Sequence, residues 1–136
     1  MLKKFTKFLI ILISIILVLV IFINVFNIPV IIKKRIYKLG YSEYVNKYAQ
    51  INRIDPMWIY AIIKVESDFD KNATSNSGAK GLMQLMDSTA QELAKELNIE
   101  NFNSSMLYDP EINIMLGSKY FDKLLSKYNE NYYLAI

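Results

Sequence analysis

The sequence predicts an all-α domain that follows an N-terminal transmembrane helix. The pairs Asp55-Pro56 and Asp109-Pro110 are typical helix starts, because aspartate caps free amide groups and proline tolerates the first helical position. Apolar residues recur after both pairs at three- and four-residue spacing, and no segment shows the alternation that predicts a strand. Near the N-terminus, an almost unbroken apolar run has the length that a spanning helix needs.

The apolar run occupies residues 8–26 and reads FLIILISIILVLVIFINVF. A spanning helix needs about 20 apolar residues, and a helix that is apolar on every face does not suit a small soluble domain. A cleaved signal peptide is the alternative, but residues 24–32 are bulky where a cleavage site requires small side chains. We therefore expect residues 1–32 to form an uncleaved signal anchor and residues 33–41 to form a juxtamembrane linker.

Composition limits the chemistry that the chain can perform. Its 136 residues include no histidine and no cysteine, which excludes Ser-His and Cys-His catalysis, disulfides and imidazole or thiolate metal sites. Carboxylates are therefore the realistic catalysts, and the sequence implies no metal or organic cofactor. The net charge of +3 suits contact with anionic polymers or lipid head groups. No basic patch interleaved with aromatic residues indicates nucleic-acid binding.

Four helices are expected after residue 41, separated by loops that include a polar one at residues 98–108, and a further helix is expected to begin at residues 132–136. Their expected limits are a cap at Ser42, a helix from about Pro56 to Ser67, a helix from Asp87-Ser88 to about Leu97, and a helix that begins at Pro110. Their apolar stripes are Tyr44, Val45, Tyr48 and Ala49; Ile59, Ile62 and Ile63; Leu93, Ala94 and Leu97; and Ile114, Phe121, Leu124 and Leu125. Leu82, Met83 and Leu85 are assigned to the same core.

The helix that begins at Pro56 carries a carboxylate in its last turn. Glu66 falls on a face that overlaps with those of Ile59, Ile62 and Ile63. Apolar surroundings and the partial negative charge of a helix C-terminus both disfavour an anion, so the neutral carboxyl group is favoured. A carboxyl group that stays protonated near neutral pH is what a general acid requires. Glu66 is therefore the candidate catalytic residue.

A set of motifs on both sides of this helix end carries a resemblance to a known family. They are Glu66-Ser67, Ser75-x-x-Gly78-Ala79-x-Gly81-Leu82-Met83-Gln84-x-Met86, Ser88-Thr89-Ala90 and Leu107-x-Asp109-Pro110-Glu111-x-Asn113-Ile114-x-x-Gly117. Together they resemble the soluble lytic transglycosylase family of peptidoglycan-cleaving enzymes, over about residues 44–136. The resemblance implies a lysozyme-like, goose-type helical domain over residues 42–136.

The resemblance also implies a reaction and a set of substrate contacts. The domain is expected to cleave the β-1,4 bond between N-acetylmuramic acid and N-acetylglucosamine. Glu66 would protonate the leaving oxygen and then act as a base while the muramyl 6-hydroxyl attacks its own anomeric carbon, which yields a 1,6-anhydro-muramic acid product. Ser75, Gln84 and Met86 would bind the substrate in the saccharide cleft.

Two nearby aspartates leave alternatives open. Ordinary glycosidases use two carboxylates, and Asp68 and Asp70 are the candidates for a second, although both are interpreted as loop or capping residues. The alternatives are a hydrolytic, goose-type lysozyme-like muramidase and a catalytically silent, membrane-anchored scaffold protein that binds peptidoglycan. The expected partners are peptidoglycan glycan strands and the membrane, through the N-terminal helix, with no nucleic acid.

The substrate, rather than the charge pattern, gives the expected orientation in the membrane. Lys33, Lys34, Arg35 and Lys38 rival the basic N-terminus, so the positive-inside rule does not decide. A domain that cuts peptidoglycan meets its substrate only outside the membrane. We therefore expect a single-pass protein of the cell membrane with its catalytic domain on the extracytoplasmic side.

The chain departs from the family's pattern at two places. The family usually has proline where this chain has Asp87, a change that we expect to be mild because aspartate also caps helices. The family also continues, after the point that corresponds to Ile136, with an Ala-Tyr-Asn-Ala-Gly motif and a further helix. We therefore expect residues 42–136 to lack the last motif of the domain, either as a fragment of a longer protein or as a natural truncation.

Overall fold

The structure is a computed structural model that describes residues 2–25 and 40–135. The chain divides into two compact units, Met1–Leu39 and Gly40–Ile136. In the first unit, side chains are described for residues 6, 9 and 12–22. The predicted linker at residues 33–39 and the end of the predicted anchor at residues 26–32 lie outside the described residues.

The first unit contains helix α1, Leu2–Val25. Its side chains from Leu12 to Phe22 are all exposed. Counted over the residues that the structure describes, no helix is both long and apolar enough to cross a membrane.

The second unit is built from helices. It contains α2 (Ser42–Asn52), α3 (Pro56–Ser67), α4 (Asp87–Glu96), a 3-10 helix (Ser104–Tyr108), α5 (Pro110–Lys127) and the short α6 (Tyr132–Ala135). The described residues form no strand, and the pairs Thr74–Lys80 and Lys80–Leu85 are isolated antiparallel bridges. The predicted all-α class is confirmed for this unit, and the bounds predicted for α3 are those observed.

Both Asp-Pro pairs start helices as predicted. The Asp55 carboxylate accepts a hydrogen bond from the Met57 amide at 2.9 Å, and the Asp109 carboxylate accepts one from the Ile112 amide at 3.0 Å. Each aspartate is extended and precedes a helical proline. Two of the amide groups left free at these helix starts are thereby satisfied.

The predicted cap at Ser42 is wrong, whereas the helix expected from Asp87-Ser88 does begin at Asp87. Tyr41, rather than Ser42, is the N-cap of α2, in a left-handed conformation and with no side-chain cap bond. Met86 is the N-cap of α4, also without a side-chain bond, and Asp87 is the first helical residue. The carboxylate of Asp87 instead pairs with Lys80, a contact that depends on how the preceding loop folds.

Helix α5 packs against α2, α4, α6 and the 3-10 helix. Its buried residues are Asn113, Ile114, Leu116, Gly117, Ser118, Phe121 and Leu125. One apolar cluster beside it consists of Leu85, Ala90, Leu93, Leu107 and Leu116. Each large apolar side chain that is fully buried contributes about 1.5–3 kcal/mol, so these stripes supply the main stabilisation of the unit. Four predicted stripe residues are only partly buried: Tyr44, Ile62, Leu97 and Leu124.

Aromatic contacts attach α6 to two earlier helices. The ring of Tyr132 stacks on Trp58 of α3 with 4.8 Å between centroids, and it meets Phe121 of α5 edge-on at 6.1 Å. Ala135 is buried at the end of the same turn. The contacts of Tyr132 therefore link α6 to both α3 and α5.

Glu111 links α2 to the start of α5. Its Oε1 accepts hydrogen bonds from Lys47 Nζ at 2.6 Å and from the Tyr48 hydroxyl at 3.0 Å. The Lys47 ammonium group, followed by the Tyr48 hydroxyl, lowers the pKa of Glu111 below its usual value. Burial, followed by the hydrogen bond to Glu111, raises the pKa of Tyr48.

We predict that Glu111→Gln makes the domain less sensitive to acid. Because the folded-state pKa of Glu111 lies below the ordinary 4.5, its contribution to stability is present above that value and is lost as the pH falls through the lowered pKa. Thermal melts by circular dichroism from about pH 3 to pH 7 should therefore show a smaller fall in Tm for the variant than for the wild type. Glu43→Gln, which removes another carboxylate on α2, is the control. An equal fall in Tm with decreasing pH in the wild type and both variants would contradict the prediction.

Candidate active site

An open cleft of about 220 Å³ lies in the second unit, where α3, the loop before α4, and α5 come together. Its lining residues are Ile62, Glu66, Met83, Gln84, Leu85, Met86, Thr89, Gly117, Tyr120, Phe121, Leu124 and Ala135. Enclosed sites for small ligands have volumes of about 300–1,000 Å³. A smaller, open cleft suits part of a polymer that passes across the surface.

Glu66 is the sole carboxylate among the described residues that line this cleft. It lies in the last turn of α3, beside apolar lining residues such as Ile62 and Leu124. The sequence predicted apolar surroundings for Glu66, but its side chain is exposed. The reason is that Glu66 lines the open cleft, whereas Ile59 and Ile63 of the same helix lie in the packed core.

The two aspartates that follow Glu66 have structural roles, as the sequence predicted. Asp68 ends α3 in the left-handed conformation and forms an ion pair with Lys64. The carboxylate of Asp70 accepts a hydrogen bond from the Asn72 amide at 2.9 Å. Neither aspartate lines the cleft. Among the described residues, no group of three or more acidic side chains could hold a metal ion.

Ser67 joins the end of α3 to the cleft loop, which we define as residues 80–86. Its hydroxyl lies 2.8 Å from the carbonyl oxygen of Leu82 and 3.1 Å from that of Ile63. Since a serine hydroxyl has one proton, it donates to one of these carbonyls at a time. The shorter contact couples the helix turn that carries Glu66 to the cleft loop.

The glycine at the start of the cleft loop is required by a close approach. Gly81 has φ +75°, and a Cβ there would collide with the side chain of Asn113 and the carbonyl oxygen of Leu107. Left-handed backbone and lack of space both exclude larger residues at this position. Gly117 has a similar role on α5, because a Cβ there would collide with the side chain of Met83.

Asn113 holds the cleft loop against α5. Its Oδ1 accepts a hydrogen bond from the Met83 amide at 2.8 Å, and its Nδ2 donates to the carbonyls of Lys80 at 3.0 Å and Leu107 at 2.9 Å. The residue is fully buried. Asn113 belongs to one of the family motifs, but the sequence predicted no role for it. The available signal was an amide on the buried stripe of an amphipathic helix, since such a group must find partners.

Two of the three predicted substrate-binding residues line the cleft. Gln84 is left-handed with φ 46°, and its Nε2 donates to the Gly81 carbonyl at 2.9 Å and the Ala73 carbonyl at 3.2 Å. Met86 is 43% exposed in the cleft wall. Ser75 is not among the lining residues; its hydroxyl accepts a hydrogen bond from the Ala79 amide at 3.0 Å. Ser75 therefore stabilises a turn.

Two residues with hydroxyl groups line the cleft although the sequence did not predict a role there for either of them. Tyr120 follows Gly117 by three residues on α5, and Thr89 follows Met86 by three residues at the start of α4. Residues three apart on a helix lie on one face. Thr89 already stands in the motif Ser88-Thr89-Ala90, and extending the motif that ends at Gly117 by one helical turn could have found Tyr120.

The cleft combines the groups that contact a carbohydrate. Its apolar lining can cover the C–H face of a sugar ring, while Gln84, Tyr120 and Thr89 offer hydrogen bonds to hydroxyl and acetamido groups. Glu66 adds one ionisable group that can give and take a proton. The helical fold and this cleft together define a domain suited to acting on a polysaccharide.

Comparison with known proteins identifies the family. Residues 43–136 match the Transglycosylase SLT domain, and the chain belongs to this family. The resemblance predicted from the motifs is thereby confirmed.

The relatives include soluble and membrane-bound proteins. The chain is 31% identical over 96 residues to the soluble lytic murein transglycosylase of Escherichia coli K12. The aligned region covers 70% of this chain and 15% of the relative. It is 34% identical over 109 residues to membrane-bound lytic murein transglycosylase C of Yersinia pestis (strain Pestoides F). Here the aligned region covers 79% of this chain and 30% of the relative. The chain thus spans less than a third of the length of these relatives.

Solved structures share the fold. An inactive glutamate-to-glutamine mutant of the lytic transglycosylase Slt from Pseudomonas aeruginosa matches with a TM-score of 0.70 and 33% identity, over 73% of this chain and 16% of that one. The complex of the 70-kDa soluble lytic transglycosylase with bulgecin A matches with a TM-score of 0.68 and 30% identity, over the same shares.

We predict that Asn113→Ala destabilises the second unit by about 2–4 kcal/mol, because one amide and two carbonyl groups lose their buried partner. Asn76→Ala, which removes an exposed amide from the neighbouring loop, should change stability by less than about 0.5 kcal/mol. Urea unfolding followed by the fluorescence of Trp58, the one tryptophan of the chain, measures both. Equal effects of the two substitutions would show that Asn113 does not hold the loop.

Proposed function

We propose that this chain is a peptidoglycan lytic transglycosylase. It cleaves the β-1,4 bond between N-acetylmuramic acid and N-acetylglucosamine and forms a 1,6-anhydro-muramic acid product. The observation that carries this proposal is that Glu66 is the one carboxylate among the described residues of the cleft, in a domain of the SLT family. The relatives named above are lytic murein transglycosylases, and this also supports the proposal.

In the proposed reaction, Glu66 acts first as an acid and then as a base. Its carboxyl group donates a proton to the glycosidic oxygen as the bond from that oxygen to the muramyl anomeric carbon breaks. The resulting carboxylate then accepts the proton of the muramyl 6-hydroxyl, whose oxygen bonds to the same anomeric carbon. Glu66 ends in its starting protonation state, and no water is consumed.

The single carboxylate favours this reaction over hydrolysis. Glycosidases that hydrolyse through two carboxylates hold them about 5–9.5 Å apart across the bond. Asp68 and Asp70 are instead engaged with Lys64 and the Asn72 amide, outside the cleft. An internal 6-hydroxyl needs no second carboxylate to position a water molecule, because the nucleophile is already attached to the sugar.

The cleft walls have complementary parts in binding the glycan. Both hydrogens of the Gln84 amide point to loop carbonyls, which leaves its Oε1 to accept from a sugar hydroxyl or an acetamido N–H. The Met86 thioether packs on a ring face, and Tyr120 offers a hydroxyl from the α5 side. Ser75 supports this wall indirectly, through the turn that it stabilises.

Bound glycan would itself supply the desolvation that Glu66 lacks in the free protein. A sugar ring that covers Met86 and the apolar wall also covers the adjacent carboxyl group. Excluding water disfavours the charged carboxylate and strengthens each interaction in the site. The environment of Glu66 would therefore be least polar where and when the substrate is bound.

We predict that Glu66→Gln abolishes the release of anhydro-muropeptides. The full chain in detergent micelles is incubated with peptidoglycan sacculi, and mass spectrometry identifies the soluble products. Loss of the acid should lower the rate by about 10²–10⁴-fold, whereas Asp68→Asn, a matched change two residues away, should stay within about threefold of the wild type.

Each other product pattern has a distinct meaning. Hydrated muropeptides from the wild type would assign hydrolysis and replace the proposal by a lysozyme-like muramidase. Sacculi bound without any release would indicate the silent scaffold protein. Full activity of Glu66→Gln would remove Glu66 from the reaction.

We also propose that residues 1–32 anchor the protein in the cell membrane, with residues 42–136 as the catalytic domain on the extracytoplasmic side. The apolar run at residues 8–26 supports the anchor, as does the exposure of the apolar side chains of α1. A membrane-bound relative is consistent with it. Peptidoglycan outside the membrane requires this orientation.

We predict that the wild-type chain stays in the membrane pellet after alkaline carbonate extraction and keeps its N-terminus by mass analysis. Ile16→Lys with Leu19→Lys should release it, since each charge at the helix centre costs about 2.5–3.5 kcal/mol. The control Ile16→Leu with Leu19→Ile should remain in the pellet. Extraction of the wild type, or an N-terminus beyond residue 26, would exclude an uncleaved anchor.

A further inference from the structure

One ion pair spans the end of the cleft loop. Nζ of Lys80 lies 2.7 Å from each carboxylate oxygen of Asp87. The Lys80 side chain is 19% exposed and that of Asp87 is 44% exposed. Exposed ion pairs contribute little because water and side-chain freedom compete with them. The Lys80 ammonium group is largely shielded from water and contacts both carboxylate oxygens. Its geometry is therefore more restricted than that of an exposed ion pair.

The main chain of Lys80 makes a second attachment close by. Its amide donates to the Leu85 carbonyl at 2.9 Å, and the Leu85 amide donates back to the Lys80 carbonyl at 3.1 Å. Lys80 thus holds residue 85 through its backbone and residue 87 through its side chain. Met86 is the one residue between these two attachments.

Met86 depends on its neighbours for its position. It is extended, with φ −76° and ψ 145°, and it makes no side-chain bond to the helix that it precedes. Its side chain is unbranched, flexible and 43% exposed in the cleft wall. The place of its thioether is therefore set by the backbone at residues 85–87.

We infer that Lys80 and Asp87 are positioning residues that fix Met86 at the glycan cleft, an inference that rests on the proposed function. Without the ion pair, the residue after Met86 can shift relative to Leu85, and the thioether loses its contact with the sugar face. Glu66 belongs to helix α3, and neither Lys80 nor Asp87 is part of that helix. The pair therefore acts on substrate binding and leaves the proton transfers unchanged.

The charge of Asp87 persists under the conditions in which a cell wall is cleaved. The Lys80 ammonium group, aided by the Ser104 hydroxyl, lowers the pKa of Asp87 below 3.8. Asp87 is therefore ionised at neutral pH, and the attachment is constant rather than switched by pH.

Methyl NMR of the full chain in detergent micelles tests the positioning directly. Methionine methyl groups are labelled with carbon-13, and Met86→Leu assigns the Met86 signal. Asp87→Asn and Lys80→Leu should each shift and broaden this signal, while Lys80→Arg should restore it because arginine keeps the pair. Met57, which is 49% exposed on α3, is the internal reference and should not change.

A matched control removes another ion pair from the same helix. Glu92 of α4 pairs with Lys123 at 2.9 Å, and both groups lie outside the cleft lining. Glu92→Gln should leave the Met86 signal in place. A Met86 signal that is unchanged in Asp87→Asn, or changed equally by Glu92→Gln, would overturn the inference.

Kinetics with soluble, uncrosslinked glycan strands give the second readout. Asp87→Asn and Lys80→Leu should raise KM by about three- to tenfold and keep kcat within about twofold of the wild type. A fall in kcat at constant KM would contradict a role in binding. If the wild type releases no anhydro-muropeptides, the proposed function fails, and the methyl spectra still decide whether the pair fixes Met86.

Discussion

A single buried amide on α5 determines where the cleft loop lies. Asn113 satisfies one amide and two carbonyl groups that come from the cleft loop and the 3-10 helix. Each such group would cost about 1–3 kcal/mol if it were buried without a partner. Gly81 makes the arrangement possible, because a side chain there would fill the space that Asn113 occupies. The positions of Gln84 and Met86 follow from this attachment.

The cleft is thus a loop held between two helices that are rigid for separate reasons. Helix α3 has an Asp-Pro start, a buried face and a terminal serine whose hydroxyl contacts the loop at Leu82. Helix α5 is packed against four other elements and carries the asparagine. Functional loops on rigid scaffolds keep reacting groups in place while leaving them accessible to substrate. Here the proposed acid belongs to a helix end, and two of the proposed sugar contacts, Gln84 and Met86, belong to the loop.

The exposure of Glu66 changes how its chemistry is understood. A carboxyl group buried in an apolar pocket would favour its neutral form even in the free protein. Under the proposed function, a glycan bound in the open cleft would complete the apolar pocket. Glu66 would then meet low polarity when a sugar covers the apolar wall, whereas its side chain is exposed in the free protein.

Local signals in the sequence determined much of this protein. The Asp-Pro starts, the bounds of α3 and the burial of Leu82, Met83 and Leu85 were predicted correctly, because capping and helical spacing depend on residues close in the chain. The family followed from short motifs, which the comparison confirmed.

Tertiary structure decided the rest. The pairing of Asp87 with Lys80, the three bonds of Asn113, the cleft positions of Tyr120 and Thr89, and the absence of Ser75 from the described cleft lining all depend on how loops pack against distant helices. Spacing along the sequence can place Tyr120 on one face with a motif residue, but it does not tell which distant loop or helix packs against that face. The same holds for the exposure of Glu66, which depends on what covers the end of α3 and not on which residues precede it.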